Sequence, residues 1–354
     1  MIISIFASIW SQNLWDELIL KNEIKILENK YSKIFNISEK EIFFKVFTYD
    51  LKDNFYISDN IEYLEYFPID FKKIKNIFRN IFNFYIFIKV VIKSDLIVIW
   101  WGWIIYDNEN QSVWSPLKQL LFRSRVFKLF NKKVEFFRVW INIKNKNNLD
   151  IVKKIFSCAN EITVRDNYSY NLLKELKFKN IELFNDPVFN DNETNLNLIN
   201  NNVIRWNLEI DNLNIKKIKN IIVKNDIILE WKTIWIALRD FNIKNYEKNI
   251  LEIIKYFLEN NNKIILIPHS FHKTDKKAND YIFLKKCRDV WQKHLNKIYI
   301  CKNMQESYEI YTEKKIDLNL ASRLHSIILS QVYEIDFIAI SYSTKTDEVI
   351  KMLK

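Results

Sequence analysis

The sequence predicts an α/β protein of two domains, each a parallel sheet flanked by helices. Three observations carry that prediction. Short apolar, β-branched runs alternate with longer amphipathic stretches, the pattern of strands joined by crossover helices. An asparagine-rich stretch with weak periodicity, residues 190 to 220, divides the alternation into two sets. The length of 354 residues, at 49% hydrophobic content, is ample for two cores by the rule of about 150 residues per domain.

In the first set, strands are expected at Ile2–Phe6, Phe43–Phe47, Leu96–Ile99, Val134–Val139, Glu161–Val164 and Ile181–Leu183, all rich in β-branched or aromatic side chains. Helices are expected at Asp16–Glu28, Ile74–Lys93, Ser115–Phe130, Leu149–Cys158 and Asn167–Leu176, with Asp166 at the N-cap of the last. The run from residue 77 to 93 is broken by Arg79, Asn80, Asn83 and Lys89, too often for a membrane span. It reads as a core helix whose partly exposed aromatic face can rest on a membrane. The second set comprises strand Thr233–Ala237, helix Tyr246–Glu259, strand Lys263–Pro268, helix Asp280–His294, strand Ile298–Ile300, helix Gln305–Lys314, a helix starting near Ser322, and strand Phe337–Ser341. The expected domains are therefore 1–190 and 231–354, with 191–230 as linker or insertion. Two such domains facing one another leave a cleft at the carboxyl ends of their strands, where open α/β sheets bind ligands. Candidate chemistry is sought just after strands.

The formal charge of +11 is spread along the chain. It reflects lysine enrichment from base composition, or attraction toward anionic substrates, a glycan polymer or the inner membrane surface. No RNP-type, zinc-finger or helix-turn-helix signature points to nucleic acid. Cys158, Cys287 and Cys301 are scattered, with no CxxC pair, which suits a reducing compartment. The N-terminal MIISIFASIW lacks a basic leader and a small-residue cleavage site, so a cytoplasmic location is expected. Neither a GxxxxGK[ST] phosphate loop nor a nucleophile elbow is present.

An average chain of this length carries about 25 glycines; this one has one glycine and 11 tryptophans. Glycine reaches positive φ without steric penalty, so an α/β protein nearly without it has difficulty closing tight turns. The composition, heavy in Asn, Lys and Ile as from an AT-rich gene, is read here as recoding: UGA codons that mean glycine, translated as tryptophan. The expectation covers Trp15, Trp100, Trp101, Trp103, Trp140 and Trp235, and UGG codons there would end it. On this reading DLIVIWWGWIIYD, residues 95 to 107, is a buried strand followed by a glycine turn at Trp100, Trp101, Gly102 and Trp103. Such a turn lets main-chain N–H groups cradle an anion. Three indoles would instead add about 600 Å² of aromatic surface to a tight corner, at about 200 Å² each. Similarly NLWDELIL reads NLGDELIL, and TIWIALRD reads TIGIALRD.

With those positions read as glycine, the chain resembles the polysaccharide pyruvyl transferases over nearly its whole length. The resemblance rests on NLWDELIL, DLIVIWWGWIIYD, the VRD of EITVRDNYS, the NDP of Asn185–Pro187, IALRD, the IPH of ILIPHS, SRLHSIILSQ and IAISYSTK, in shared order and spacing. It implies a two-domain fold similar to the GT-B glycosyltransferases, and transfer of pyruvate from phosphoenolpyruvate to a sugar as a ketal. The acceptor it implies is a cell-surface glycan or its lipid-linked precursor, with peripheral membrane association as a further expectation. It also implies a further helix beyond KTDEVIKMLK. By motif, Arg165, His325 and Lys345 match the family's phosphoenolpyruvate-contacting positions.

The chemistry asks independently for such a set. Phosphoenolpyruvate carries a carboxylate and a phosphate, which call for a planar Arg fork and a compact Lys charge. His325 can move the protons of ketal formation, and the scheme demands no metal or other cofactor. Each residue also has a purely structural reading: Arg165 in a surface ion pair with Asp166, His325 as a core histidine, Lys345 as a solvated lysine. Asn13, Asp16, Glu17, Asp107, Arg239, His269 and Arg323 are acceptor or auxiliary candidates, with solvated helix-start carboxylates as the alternative for the acids. His269, His272 and Asp275 have a spacing that invites a metal, but PHSFHKTD reads as a loop, where that spacing means little. The rival functions are a GT-B glycosyltransferase using a nucleotide sugar and a non-catalytic glycan-binding relative.

Overall fold

The computed structural model describes residues 1–9, 13–48, 51, 56–66, 75–100, 105–107, 115–190, 203, 205–241, 243–272, 276, 279–314, 316–342 and 344–353. They fall into two compact units: Met1–Ser11 with Asp16–Pro187, and Gln12–Trp15 with Val188–Lys354.

The first unit runs β1 (Ile2–Ile9), α1 (Leu14–Phe35), β2 (Phe43–Thr48), β3 (Ile61–Glu65), α2 (Lys75–Lys93), β4 (Leu96–Trp100), β5 (Ile105–Tyr106), α3 (Pro116–Leu129), β6 (Val134–Val139), β7 (Ile141–Asn142), α4 (Leu149–Phe156), β8 (Glu161–Val164), α5 (Asn167–Glu175) and β9 (Ile181–Leu183). Among the described residues, seven parallel strands form one sheet in the order β3-β2-β1-β4-β6-β8-β9. The order runs outward from β1 on both sides, so the β1/β4 pair is a topological switch point, where ligands bind in such sheets. Central strands β4 and β6 are buried throughout, as parallel strands covered on both faces must be. Phe6 anchors the core, stacked on Phe47 at 4.4 Å and tilted against Phe127 at 5.1 Å.

The second unit holds β10 (Arg205–Glu209), α6 (Ile215–Lys224), β11 (Thr233–Ala237), α7 (Tyr246–Glu259), β12 (Lys263–Leu266), α8 (Asp280–Asp289), β13 (Ile298–Ile300), α9 (Met304–Thr312), β14 (Leu318–Ala321), α10 (Leu324–Val332), β15 (Phe337–Ser341) and α11 (Thr344–Met352). Its described strands form a parallel sheet in the order β10-β15-β14-β11-β12-β13.

The strands expected from apolar runs lie where the sequence places them. The structure adds β3, β10 and β14, and the two-residue strands β5 and β7, which pair with each other. Strand β10 and helix α6 fall inside residues 191–230, read above as linker or insertion, and β10 pairs with β15, Arg205 opposite Phe337 through Glu209 opposite Ser341. An edge strand needs only one covered side, so RWNLE carries little apolar signal. Strand β14 hides because its second residue, Asn319, is a fully buried polar group.

Turn closure also departs from the composition argument. Positive φ occurs at Asn36, Asn131, Asn180, Asn245 and Asn261, where asparagine tolerates the left-handed region that glycine ordinarily fills. The scarcity of glycine therefore does not leave these helix ends unclosed. Trp231 is different: it has φ 60° and is 74% exposed, and a bulky residue in that region costs about 1–2 kcal/mol. Trp15, Trp100 and Trp235 are fully buried, and Trp101, Gly102 and Trp103 lie outside the described residues. The indole N–H of Trp235 has no hydrogen-bond partner among the described residues, while its ring meets Tyr311 edge-on at 4.8 Å.

Candidate functional site

In the first unit, β8 ends in Val164 and delivers Arg165 and Asp166 at its carboxyl edge. Asp166 caps α5: one carboxylate oxygen accepts from the Ser169 backbone at 2.8 Å and the other from the Ser169 hydroxyl at 2.6 Å. The Arg165 guanidinium instead pairs with Asp186 of the Asn-Asp-Pro segment that follows β9, and its side chain is only 5% exposed. The surface pair with Asp166 considered from sequence is thus replaced by a buried pair with Asp186. Burial draws the Arg165 pKa below its ordinary value, opposed by the carboxylates of Asp186, Asp166 and Asp16.

Arg138 is a second cation here, and sequence reasoning missed it. It sits at φ 47° in a register shift of β6, its backbone N–H donates to the Thr163 hydroxyl at 2.7 Å, and its guanidinium donates to the Asn185 carbonyl at 3.0 Å. Two guanidiniums therefore hold adjacent residues of one short segment. A bulged strand re-aims a side chain in this way, and a lone Arg in an apolar strand was the available signal.

Asp16 and Glu17, at the start of α1, are buried rather than solvated, and Asp16 lies close enough to Arg165 to act on its charge. Asp107 is committed elsewhere. Its carboxylate accepts from the backbone N–H groups of Lys144 and Asn145, each at 2.7 Å, and from the Asn148 amide at 3.0 Å. Burial pushes its pKa up, but these hydrogen bonds outweigh that and leave it below the usual carboxylate range. Such a group clamps its loop and, with a lowered pKa, is a poor base.

In the second unit, the candidates gather around the ends of β11, β12 and β14. Asn13 forms an antiparallel bridge with Ser270, and the Leu14 N–H donates to the His269 carbonyl at 3.0 Å. Trp15 then stacks on His325, ring centroids 3.5 Å apart and planes 6° from parallel. His325 is the second residue of α10 and half-buried. The first turn of that helix is pinned by a buried polar network: Asn319 donates to the hydroxyls of Ser326 and Ser330 at 2.8 and 2.7 Å, and Tyr311 meets the Ser326 hydroxyl at 2.6 Å.

Arg323, the N-cap of α10, grips the fully buried Asp280 through two hydrogen bonds, one of them 2.8 Å long, and Asp280 also accepts from the His269 N–H at 3.2 Å. Burial lowers the Arg323 pKa, but Asp280 raises it further, so the net shift is upward. The Arg239 N–H faces the Ser322 hydroxyl at 3.4 Å, and its guanidinium lies over Phe241 at 5.3 Å, with Nε lacking a hydrogen-bond partner among the described residues. Lys345 lies in α11, and its side chain is outside the described residues, as is Asp275.

His269 was expected in a loop, open to an acceptor. It is 1% exposed, with Nε2 and the Tyr311 hydroxyl 2.9 Å apart, so its ring is part of the unit's interior. Burial, aided by the charge of Arg323, pushes its pKa down to about 3. The unfolded chain binds this proton below about pH 6.5, whereas the folded one does not until near pH 3, so stability falls as pH drops through that window. His269→Gln is expected to lose about 3 kcal/mol less than the wild type between about pH 7 and pH 4, measured by urea denaturation at both. An identical loss would mean His269 titrates normally.

Two wound sheets define the class. The chain is similar to the UDP-GlcNAc 2-epimerase of Methanocaldococcus jannaschii, with 13% identity and TM-score 0.55 over 99% of this chain and 87% of that one. It is also similar to the UDP-GlcNAc 2-epimerase of Neisseria meningitidis, solved bound to UDP-GlcNAc, with 11% identity and TM-score 0.52 over 99% and 85%. The architecture is two Rossmann-like domains of the GT-B kind. Among curated proteins no sequence matches the chain. The family model described as polysaccharide pyruvyl transferase matches residues 16–344, and the chain belongs to that family.

Proposed function

We propose that the protein transfers pyruvate from phosphoenolpyruvate to two hydroxyls of a sugar, in a cell-surface glycan or its lipid-linked precursor, on the cytoplasmic side of the membrane. The family supports a transferase acting on a saccharide. The observation that carries the finer reading is Arg165, placed at a strand end and clamped in orientation by Asp186. A guanidinium held in one plane offers the geometry that matches a carboxylate or phosphate, which a flexible ammonium does not.

In the reaction, two C–O bonds form at the central carbon of the enol ester and the C–O bond to phosphate breaks. One hydroxyl proton balances the methylene carbon as it becomes methyl; the other leaves with phosphate. His325 is assigned to the proton movement, and the hydrogen bonds of Tyr311 and Asn319 to Ser326 fix the helix turn that carries it. Lys345 is assigned to the phosphate as a point charge. Asn13, Asp16 and Arg239 remain acceptor-side candidates.

Arg165→Lys is expected to raise the KM for phosphoenolpyruvate about tenfold or more, because an ammonium cannot reproduce a two-point grip. An unchanged KM would remove Arg165 from donor binding. A nucleotide-sugar reading is kept because one protein of similar fold was solved with UDP-GlcNAc. Calorimetry with phosphoenolpyruvate and with UDP- and GDP-sugars separates the two. Binding only of a nucleotide sugar would replace the pyruvyl reading.

A further inference from the structure

Helix α2 is inside out over its first turns. Asn80 and Asn83 face inward and are buried, the latter donating to Glu65 at 2.9 Å, while Phe78 is 79% and Phe82 63% exposed. Ile77, Ile81, Tyr85 and Ile92 continue the outward stripe at helical spacing. Phe84 meets Phe122 of α3 at 6.4 Å, extending the aromatic surface onto the neighbouring helix. A contiguous apolar patch of this kind marks a surface that something covers.

The charges around it indicate what. The 19 residues of α2 and the 14 of α3 include no Asp or Glu, although 43 in a chain of 354 would put about four there at average usage. Among the described side chains, their exposed cations are Arg79, Lys89, Lys93, Arg125 and Lys128. Arg79 is neutralised by Glu65, which leaves four. A second copy of the chain would bring the same positive face against itself, which like-charge repulsion opposes. An anionic lipid surface matches both properties, since aromatic side chains enter the headgroup boundary while lysines meet its charge. No helix among the described residues is long and apolar enough to cross a membrane, so contact of α2 with a bilayer would be along its surface.

We propose that the outer face of α2 docks the protein onto an anionic bilayer, with Phe78, Phe82 and Tyr85 inserted and Lys89 and Lys93 at the headgroups. This goes beyond the transfer reaction and does not depend on it. None of these residues is a tryptophan, so the recoding question leaves the face unchanged.

The test is flotation of the full chain, with neither donor nor acceptor present, on phosphatidylcholine vesicles with and without roughly a third phosphatidylglycerol. Binding is expected only to the anionic vesicles, and to fall in about 1 M salt, where the screening length shrinks to about 3 Å. The double variant Phe78→Glu/Phe82→Glu should bind about tenfold or more weakly while its thermal melting stays that of the wild type, because both rings are exposed. Lys89→Gln/Lys93→Gln should show the same weakening with the apolar face intact, which keeps the test decisive if the first variant misfolds. Absence of flotation would overturn the proposal. So would binding insensitive to both variants, or a dimer in sedimentation that Phe78→Glu/Phe82→Glu dissolves.

Discussion

Replacing His325 with alanine is expected to lower pyruvate transfer by about 10²- to 10⁴-fold, the usual contribution of a positioned acid–base group. The fold should survive. The imidazole is half-buried at the start of α10, and its loss removes one ring stack, a contribution of about 0.5–1.5 kcal/mol beyond area burial. His325→Phe separates the two roles, since a phenyl ring keeps the stack on Trp15 but carries no exchangeable proton. Both variants should be inactive, and the phenylalanine one should melt with the wild type. Turnover near normal in either would remove His325 from the mechanism. Loss of activity accompanied by a large drop in melting temperature in both would make it a structural residue.

A protein made with glycine at positions 15, 100, 101, 103, 140 and 235 is expected to fold, and to transfer pyruvate at least as well as the tryptophan form. The two possibilities differ by far more than experimental error. If the indoles are native, Trp15→Gly strips the stack from His325 and Trp235→Gly opens a cavity in the second sheet's core. Truncating a buried aromatic costs about 3–5 kcal/mol, and two such losses approach a domain's whole stability of about 5–15 kcal/mol. If glycine is native, the glycine form is instead the relaxed one. The indole N–H of Trp235, without a hydrogen-bond partner among the described residues, favours glycine, because such a buried donor costs about 1–3 kcal/mol. Trp231, at positive φ, marks one further position where glycine would relieve strain. Melting curves of the two forms, with the intact mass of the protein from its natural host, decide the matter: an unfolded glycine form, or a native mass carrying every indole, ends the recoding reading.

The elements that the letters announced are those whose burial repeats locally. Strands β4, β6 and β11 are continuous apolar runs because both faces of a parallel sheet are covered, and α5 announces its start through the Asp166 cap. The same logic made the VRD segment visible as a strand-to-helix turn. Strands β3 and β10 escaped because an edge is covered on one side only, so IEYLE and RWNLE keep charges and polar groups in alternate places. The left-handed turns were misjudged because asparagine fills several of them.

What the sequence determined by itself is the order of the buried strands and most helices, which follows from periodicity along the chain, and the family, which follows from the resemblance of its motifs. Which groups pair was settled only in three dimensions. Arg165 meets Asp186, 21 positions away, and Arg323 meets Asp280, 43 away. His269 became an interior group and Asp107 a clamp for the same reason. The energy of a charge depends on its burial and on the partner brought to it through space, and neither quantity is a function of neighbours in sequence.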